Sequence, residues 1–365
     1  MALQACTIAS RIRIRHGRPA VRTVENALYL PHSEARGRPS ALFDAARLFV
    51  PESVDRRGRR NEPAWQRTDW PDDLPASVPE APEETYLFLG GAHMHYGHFV
   101  INTLPRFWPL LDRDAPRPPI LCYAPVAEAL WQPYRFAVDI LARLGLAPRD
   151  IAAFDEPRLL RRVVVPAPAL QEEVFAHPVY RDLCLAVGAG CYAPEEVDAE
   201  ARPAYLAKTR LAGGVRRIDN EDEVVEVLER AGVEIVHPEA MSFAEQVRLF
   251  ATRRVVLGSV GSALHTAIFA PPGRRVIGLS HAARINPTFH LVDVLAGNEV
   301  AYLHQPGTRD AHGGAFSIRH RLPDPRGAAE DLLRRTDAML APRRPAPFAP
   351  VERALAALAR RLRRS

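Results

Sequence analysis

The chain has 365 residues, of which 47% are hydrophobic and 25% are charged, so it has the composition of a globular protein with a large core. Single hydrophobic cores stop growing at roughly 250–300 residues, which predicts two domains. The formal net charge of +5 is spread along the chain without the basic, aromatic-interleaved stripe of nucleic-acid binders, so we expect no nucleic-acid partner.

Cysteine spacing and apolar runs bear on the cellular compartment. The four cysteines lack zinc-finger spacing and are expected to be reduced and buried. The arginine-rich residues 1–21 are not followed by the apolar segment of a secretory signal, and no apolar run reaches the ~18 residues of a membrane span. A cytoplasmic protein is the expectation.

Apolar runs alternate with helical patterns in the amino-side part of the chain. Residues 51–85 are rich in Pro, Asp, Glu and Arg and predict a surface connection. After it, the pattern predicts strands at residues 86–90, 120–123 and 163–165, and helices at residues 97–111 and 126–144. This alternation predicts an α/β domain with a parallel sheet, to which we assign residues 1–200.

The alternation is more regular in residues 201–322. Strands are predicted at residues 205–207, 233–236, 254–257, 276–279 and 300–303. Helices lie between them: one is capped by Asn220, and one starts with a capping box formed by Ser242 and Glu245. Such an order is typical of a doubly wound, Rossmann-like domain.

The last segment, residues 323–365, is predicted to be a helical tail that runs back toward the amino-side domain. After a proline-rich break, apolar residues fall on one face of a helix that ends in four arginines. Such a helix either packs on the body of the protein or lies on an anionic membrane surface, which leaves peripheral membrane contact open.

Residues 93–108 contain three histidines at the predicted junction of a strand and a helix, the edge of a parallel sheet where ligands bind. His98, Asn102 and Arg106 are four residues apart and share one helical face, so they are the candidate catalytic row. The alternative for His98 is a hydrogen-bonded core histidine. No acidic or cysteine partner stands at ligand spacing, so we expect no metal site.

Basic residues follow the first predicted strand of the carboxyl-side domain. Lys208 is the only lysine in the chain, and it is followed by Arg210, Arg216, Arg217, Asn220 and Glu221. Cations at the end of a strand suit a diphosphate, although the cluster could equally be a solvated surface patch.

A glycine-rich turn precedes a short predicted helix at residues 258–265. Gly258, Gly261 and Ser262 would expose backbone N–H groups to an anion, and His265 would lie in the first helical turn. The glycines could instead serve close packing, because the pattern is not a nucleotide-binding fingerprint. Glu245, which capping explains by itself, could also hold a ribose at the same sheet edge.

Four segments together resemble glycosyltransferase family 61, which includes bacterial capsular-polysaccharide biosynthesis proteins. They are residues 96–106 (Tyr-Gly-His-Phe-x-x-Asn-Thr-Leu-Pro-Arg), 205–221, 242–246 and 258–273. Their order and spacing are more specific than any one of them, and the resemblance covers roughly residues 86–305.

The resemblance implies a GT-B architecture, in which two Rossmann-like domains face a cleft and the nucleotide lies mainly on the carboxyl-side one. It also implies sugar transfer with inversion and without a bound metal, from a nucleotide-sugar substrate to a glycan or lipid-linked glycan acceptor. The sequence departs from the common family form at Val260, where a histidine is usual, and at Asn102, where an acid is frequent. Neither side chain can act as a general base.

The residues fit this chemistry, since inverting transfer needs a base near the acceptor hydroxyl and positive groups at the leaving diphosphate. His98 is the candidate base, and Lys208, Arg210, Arg217 and the glycine turn are candidates for the second task. Two alternatives remain: an inactive sugar-nucleotide-binding protein of a polysaccharide assembly complex, and a sugar-nucleotide epimerase on the same fold.

Overall fold

The computed structural model describes residues 2–8, 11–32, 39–57, 62–63, 66–72, 74–114, 117–124, 128–211, 216–311 and 318–341. The predicted basic C-terminal helix lies outside these ranges. Within them, no helix is both long and apolar enough to cross a membrane.

The described chain is built on two six-stranded sheets, which confirms the predicted α/β class. In chain order the strands are β1 (Gln4–Ala5), β2 (Val21–Leu30), β3 (Ala41–Phe43), β4 (Thr85–Gly91), β5 (Ile120–Tyr123), β6 (Ile151–Ala152), β7 (Arg158–Pro166), β8 (Ala204–Leu206), β9 (Glu234–Val236), β10 (Val256–Ser259), β11 (Arg275–Ser280) and β12 (Glu299–His304). The α-helices are α1 (Tyr96–His98), α2 (Arg135–Arg143), α3 (Pro178–Gly188), α4 (Glu221–Arg230), α5 (Phe243–Thr252), α6 (Pro287–Ala296) and α7 (Pro325–Leu340).

The amino-side sheet has the strand order β6-β5-β4-β7-β2-β3. The predicted strands are confirmed as β4, β5 and β7, and β4 pairs in parallel with both of the others. The sheet is nevertheless mixed, because β2 pairs antiparallel with β7. Strand β4 is buried along almost its whole length, as expected for a central strand covered on both faces.

The carboxyl-side sheet has the strand order β1-β12-β11-β10-β8-β9. All five predicted strands are confirmed as β8 to β12, and they run parallel. From β8 the chain adds β9 on one side and then β10, β11 and β12 on the other. The carboxyl ends of β8 and β10 therefore form the topological switch point. Ligands of open α/β sheets bind at such a point.

Two predicted helices are shorter or less regular than the sequence pattern suggests. In place of one helix at residues 97–111, α1 leads into a π-helical turn (Phe99–Thr103) and two 3-10 segments (Leu104–Arg106 and Trp108–Leu111). Pro105 and Pro109 interrupt the regular pattern because proline has no backbone N–H to donate. The predicted helix 126–144 becomes α2, which begins only at Arg135.

The helix starts of the carboxyl-side half follow two different schemes. At α5 the predicted capping box is confirmed: the Ser242 hydroxyl accepts a hydrogen bond from the Glu245 N–H, and the Glu245 carboxylate accepts one from the Ser242 N–H at 2.7 Å. At α4, Asn220 occupies the cap position, but its side chain donates to and accepts from the backbone of Leu322 instead. Its predicted capping role is therefore wrong.

Both ends of the described chain pack on the carboxyl-side sheet. Strand β1 pairs antiparallel with β12, so the assignment of all residues 1–200 to the amino-side part does not hold for this strand. The prediction that the tail runs back to the amino-side part is wrong for α7, which packs on α4. Leu332 and Met339 belong to the same hydrophobic cluster as Tyr205 and Ile277 of the sheet. The apolar face of α7 therefore packs against the carboxyl-side sheet and α4.

The two halves share one hydrophobic cluster, which includes Phe99 and Leu183 of the amino-side half and Phe269 and Leu291 of the carboxyl-side half. Arg181 of α3 donates hydrogen bonds to the carbonyls of Ile268 and Ala270 at the end of the 3-10 helix Ser262–Phe269. These contacts fix how the two sheets sit relative to each other. The predicted cleft between them remains a prediction.

Candidate functional site

Three neighbouring strands of the carboxyl-side sheet end at polar or glycine-rich segments. Lys208 follows β8, the Val260–Gly261 peptide follows β10, and His281 follows β11 directly. The Lys208 ammonium donates hydrogen bonds to the carbonyls of Val260 at 2.7 Å and of Arg216 at 3.3 Å. The only lysine therefore lies at the topological switch point, bridging β8 and β10.

The glycines of the turn have packing reasons as well. Gly261 adopts extended backbone, and a Cβ there would clash with the side-chain nitrogen of Lys208. A Cβ at Gly258 would lie 3.0 Å from the Cβ of Leu206. The absence of side chains thus lets Lys208 cross the turn and lets β8 and β10 approach closely.

Glu221 lies beneath Lys208 as a buried anion. Its carboxylate accepts hydrogen bonds from the Tyr205 hydroxyl at 2.8 Å and from the Lys208 backbone N–H at 3.1 Å. Burial raises the pKa of the Glu221 carboxyl. Burial also lowers the pKa of the Lys208 ammonium to about 8, against the opposing charge of Glu221. Glu221 therefore supports Lys208 from below and does not itself line the sheet edge.

Arg216 and His281 form a second polar pair beside Lys208. The Arg216 guanidinium lies 3.0 Å from Nε2 of His281, and the His281 ring stacks on His320 with centroids 4.1 Å apart. Burial and the nearby charges of His320, Arg216 and Lys208 lower the pKa of His281 to about 4. His281 is thus a neutral hydrogen-bond acceptor for Arg216. Arg216 belongs to the basic cluster predicted after β8, whereas no sequence pattern pointed to His281, although it follows its strand just as Lys208 does.

Three other predicted donor-side residues lie around this edge with different roles. Arg210 is exposed in the turn after β8. Arg217 donates to the Leu211 carbonyl and lies 3.9 Å from the Asp219 carboxylate, which also pairs with Arg319 at 2.6 Å. Asn220 is buried and holds Leu322, away from a ligand position.

Glu245 is exposed at the start of α5, and its carboxylate is bound to the Ser242 hydroxyl and N–H. These hydrogen bonds lower the pKa of the Glu245 carboxyl. Capping accounts for its contacts in this structure, and its predicted ribose contact stays a prediction.

The histidine-containing turn of the amino-side half abuts the glycine-rich turn. A Cβ built on Gly97 would lie 2.9 Å from the Cβ of Ser262. One residue earlier, the Tyr96 and Thr266 hydroxyls are 2.6 Å apart. The structure therefore brings together residues that are about 165 positions apart in the sequence, and it places the first predicted motif against the third.

Three imidazoles cluster at this junction. The ring centroid of His98 is 5.5 Å from that of His95 and 6.2 Å from that of His93. Nδ1 of His98 lies 3.0 Å from Oδ1 of Asn102, as expected for residues four apart on a helical face. The tautomer that donates Nδ1–H to this amide oxygen makes Nε2 the basic nitrogen of His98.

Arg106 does not belong to this row. Its side chain is fully buried and forms an ion pair with Asp55 at 3.2 Å, together with hydrogen bonds to the carbonyls of Glu52, Val54 and Pro166. The prediction that Arg106 acts at the site is therefore wrong. The π-helical turn shifts it from the His98 face, and it secures the connection that begins at residue 51.

Asp55 links that buried arginine to the histidine cluster, since its second oxygen lies 3.2 Å from Nε2 of His93. Burial alone would raise the pKa of the Asp55 carboxyl, but the Arg106 guanidinium and the His93 hydrogen bond hold it below its usual value. Asp55 lies in a segment predicted to be a surface connection, so no sequence pattern pointed to it.

His265 is a buried ring that stacks on Phe289, with centroids 4.4 Å apart. Burial lowers the pKa of His265 to about 4, so the ring is neutral near neutral pH. The idea that a cationic His265 assists a leaving phosphate is therefore wrong, and His265 belongs to the core beneath the 3-10 helix.

A surface groove of about 640 Å³ runs between β1, β12 and α7, and none of the predicted site residues lines it. Among the described residues, no group of three or more His, Cys, Asp or Glu side chains is arranged to hold a metal ion.

Comparisons with known proteins identify a family that the chain resembles over the segment that contains both turns. Residues 96–277 match the family model of glycosyltransferase 61, a span from the histidine turn to β11. No curated protein matches the chain significantly. Among solved structures, the chain is similar to a dodecameric iron-containing heptosyltransferase, TibC, in complex with ADP-D-β-D-heptose. The identity is 12% over 75% of this chain and 81% of that chain, with a TM-score of 0.27, so no residue role transfers from it.

Proposed function

The chain belongs to glycosyltransferase family 61 and is a glycosyltransferase, and on that premise we propose that it moves a sugar from a nucleotide-sugar donor to a glycan or lipid-linked glycan acceptor in surface-polysaccharide synthesis. The transfer inverts the anomeric carbon and uses neither a metal nor another cofactor. The two sheets flank the reaction in a GT-B arrangement, with the nucleotide on the carboxyl-side sheet.

The observation that carries this proposal is the position of Lys208. Its ammonium lies at the carboxyl ends of β8 and β10, bound to the Val260 carbonyl and adjacent to the start of the 3-10 helix at Ser262. A cation and backbone N–H groups at a switch point match the charge of a departing nucleoside diphosphate. Because this charge balance comes from the protein itself, a bound metal is not required.

The acceptor side is the histidine cluster. Gly97 contacts Ser262, so His98 lies one residue from the point where the two halves meet. We assign His98 as the general base, with Nε2 accepting the proton of the acceptor hydroxyl while Asn102 orients the ring. Val260 is buried in the core of the carboxyl-side half and takes no part in proton transfer.

The experiment that tests the proposal is a transfer assay. Purified protein is incubated with UDP-, GDP-, ADP- and CDP-sugars and candidate glycan acceptors, and release of nucleoside diphosphate is followed together with the anomeric configuration of the product by NMR. We expect acceptor-dependent release and an inverted linkage.

Three other outcomes would contradict the proposal. A sugar nucleotide that changes configuration but keeps its nucleotide would indicate an epimerase. Retention at the anomeric carbon would contradict the inverting mechanism. Binding without turnover would indicate a binding protein. In a thermal-shift screen, a diphosphate at ~100 times its dissociation constant should add ~2.7 kcal/mol of stability, which identifies the nucleotide for these assays.

A further inference from the structure

The hydrogen bond between Arg216 and His281 has a defined direction. A guanidinium can only donate hydrogen bonds, so Nε2 of His281, 3.0 Å from Nη1 of Arg216, must be the acceptor. The neutral imidazole therefore holds one end of the guanidinium in place. An Arg side chain has five N–H donors, and this contact uses one of them, which leaves donors for phosphate oxygens.

His281 is itself held by a hairpin outside the main sheet. Its ring stacks on His320, with an interplanar angle of 22°, and Nδ1 of His320 lies 2.8 Å from the Asp310 carboxylate. His320 and Asp310 lie on the paired strands Arg319–Arg321 and Arg309–Ala311. Stacking and pairing thus fix the orientation of the acceptor nitrogen before any ligand arrives.

Arg216 is also tied to Lys208, because its backbone carbonyl accepts a hydrogen bond from the Lys208 ammonium. The backbone of Arg216 is therefore held at the switch point, and the charges of Arg216 and Lys208 both lie close enough to His281 to lower its pKa. Like charges repel, so the arrangement is favourable when an anion lies between or above them. Arg217, which the sequence favoured, is directed to Leu211 and Asp219 instead.

We propose that Arg216 is a ligand of the donor diphosphate and that His281 is a positioning residue that holds the Arg216 guanidinium beside Lys208. This inference rests on the proposed function, and it adds a specific pair to the donor site. His281 acts only through Arg216 and touches neither the sugar nor the acceptor.

The test is a double-mutant cycle read by titration calorimetry with UDP, GDP, ADP and CDP. Arg216→Ala and His281→Ala should each weaken the best-bound diphosphate by ~10-fold, the loss expected for one hydrogen bond to a charged group. The double variant should lose no more than Arg216→Ala alone. Arg230→Ala, an exposed arginine at the far end of α4, is the matched charge control and should bind like the wild type.

Two further variants separate positioning from packing. His281→Gln keeps a side-chain oxygen that can accept from Arg216, so it should restore most of the affinity that His281→Ala loses. His281→Phe keeps the ring that stacks on His320 but removes the acceptor, so it should behave like His281→Ala.

The opposite order, with Phe tolerated and Gln not, would refute the positioning role. Additive losses in the double variant would refute it as well. A wild-type protein that binds none of the four diphosphates would refute the donor site itself and this inference with it.

Discussion

Gly97 and Ser262 meet across the two halves of the chain so closely that a Cβ on Gly97 would lie 2.9 Å from the Cβ of Ser262. The neighbouring pair of hydroxyls, Tyr96 and Thr266, is 2.6 Å apart. The histidine turn and the glycine turn are therefore in direct contact, and these pairs set the register between them. A base on one and a diphosphate site on the other require that registration.

Replacing Gly97 tests whether this contact sets the catalytic geometry. Gly97 lies within helix α1, where alanine is conformationally acceptable, so the main effect of Gly97→Ala is the clash with Ser262. Misplacement of reacting groups by ~1 Å can cost ~10²-fold in rate, so we expect kcat to fall by ~10-fold or more. Steady-state kinetics with the identified donor measure it.

A second substitution provides the control for steric contact. Ser262→Gly removes the Cβ that alanine would strike, so the Gly97→Ala/Ser262→Gly double variant should recover much of the lost kcat. If the single Gly97→Ala variant has normal kcat, or if Ser262→Gly gives no recovery, the contact does not set the geometry.

Lys208 should make diphosphate affinity depend on pH in the alkaline range. Burial lowers the pKa of its ammonium to about 8, so in the free protein the charge is present below that pH and is lost above it. We therefore expect affinity for the diphosphate to fall as pH rises through about 8. Lys208→Met, which keeps an unbranched side chain one heavy atom shorter and without the charge, should weaken binding by ~1.5–3 kcal/mol at pH 7.

The same titrations supply the check on Lys208. The methionine variant should show no fall in affinity between pH 7 and pH 9, because nothing at that position titrates. Unchanged affinity in Lys208→Met at pH 7 would remove Lys208 from the donor site.

Chelation should leave turnover intact. The proposal assigns the charge of the leaving diphosphate to Lys208 and Arg216 and to backbone N–H groups at the glycine turn. We expect EDTA to leave kcat unchanged in the transfer assay. Loss of turnover that manganese or magnesium restores would contradict a metal-independent mechanism.

His98→Ala should lower kcat by ~10²–10⁴-fold if His98 is the general base. Diphosphate affinity should hardly change, because the proposed donor site lies on the other half of the chain, and unchanged affinity also shows that the variant has folded. A folded variant with nearly normal kcat would shift the search for the base to His93 and His95.

The fold was largely predictable where local patterns and global topology agree. The five strands β8 to β12 are short apolar runs separated by clear helix signals, and all were identified. The sequence did not predict that β1 joins the carboxyl-side sheet, because strand pairing between residues about 300 positions apart leaves no local pattern. The prediction of one long helix at residues 97–111 was wrong although a local helical pattern is present, because two prolines interrupt it.

The sequence predicted which strand ends and turns contain the candidate residues, but several of their contacts differ from the prediction. Strand ends pointed to Lys208, which lies at the topological switch point, and helical spacing predicted the contact between His98 and Asn102, while the roles of these residues stay predictions. Spacing also placed Arg106 in the row, but a four-residue rule presumes a regular α-helix, and the π-helical turn followed by the 3-10 segment Leu104–Arg106 breaks the spacing between Asn102 and Arg106. Asp55 and His281 were missed because their partners are distant in sequence.

His265 should contribute to acid sensitivity without contributing to catalysis. Burial lowers its pKa in the folded protein to about 4, whereas an unfolded chain has a histidine pKa near 6.5. Between these values the unfolded state binds more protons, so this group's contribution to stability is full above about pH 6.5 and is lost as pH falls toward 4. The loss amounts to about 3 kcal/mol.

His265→Phe removes this titration and keeps the stacking on Phe289. It also replaces a buried Nδ1 that has no hydrogen-bond partner among the described residues. The variant should therefore unfold at lower pH than the wild type in an acid titration followed by circular dichroism, although part of the transition remains because His281 also has a lowered pKa. Diphosphate affinity and kcat should be unchanged. Weaker diphosphate binding in His265→Phe would instead place this imidazole at the leaving group and overturn its assignment to the core.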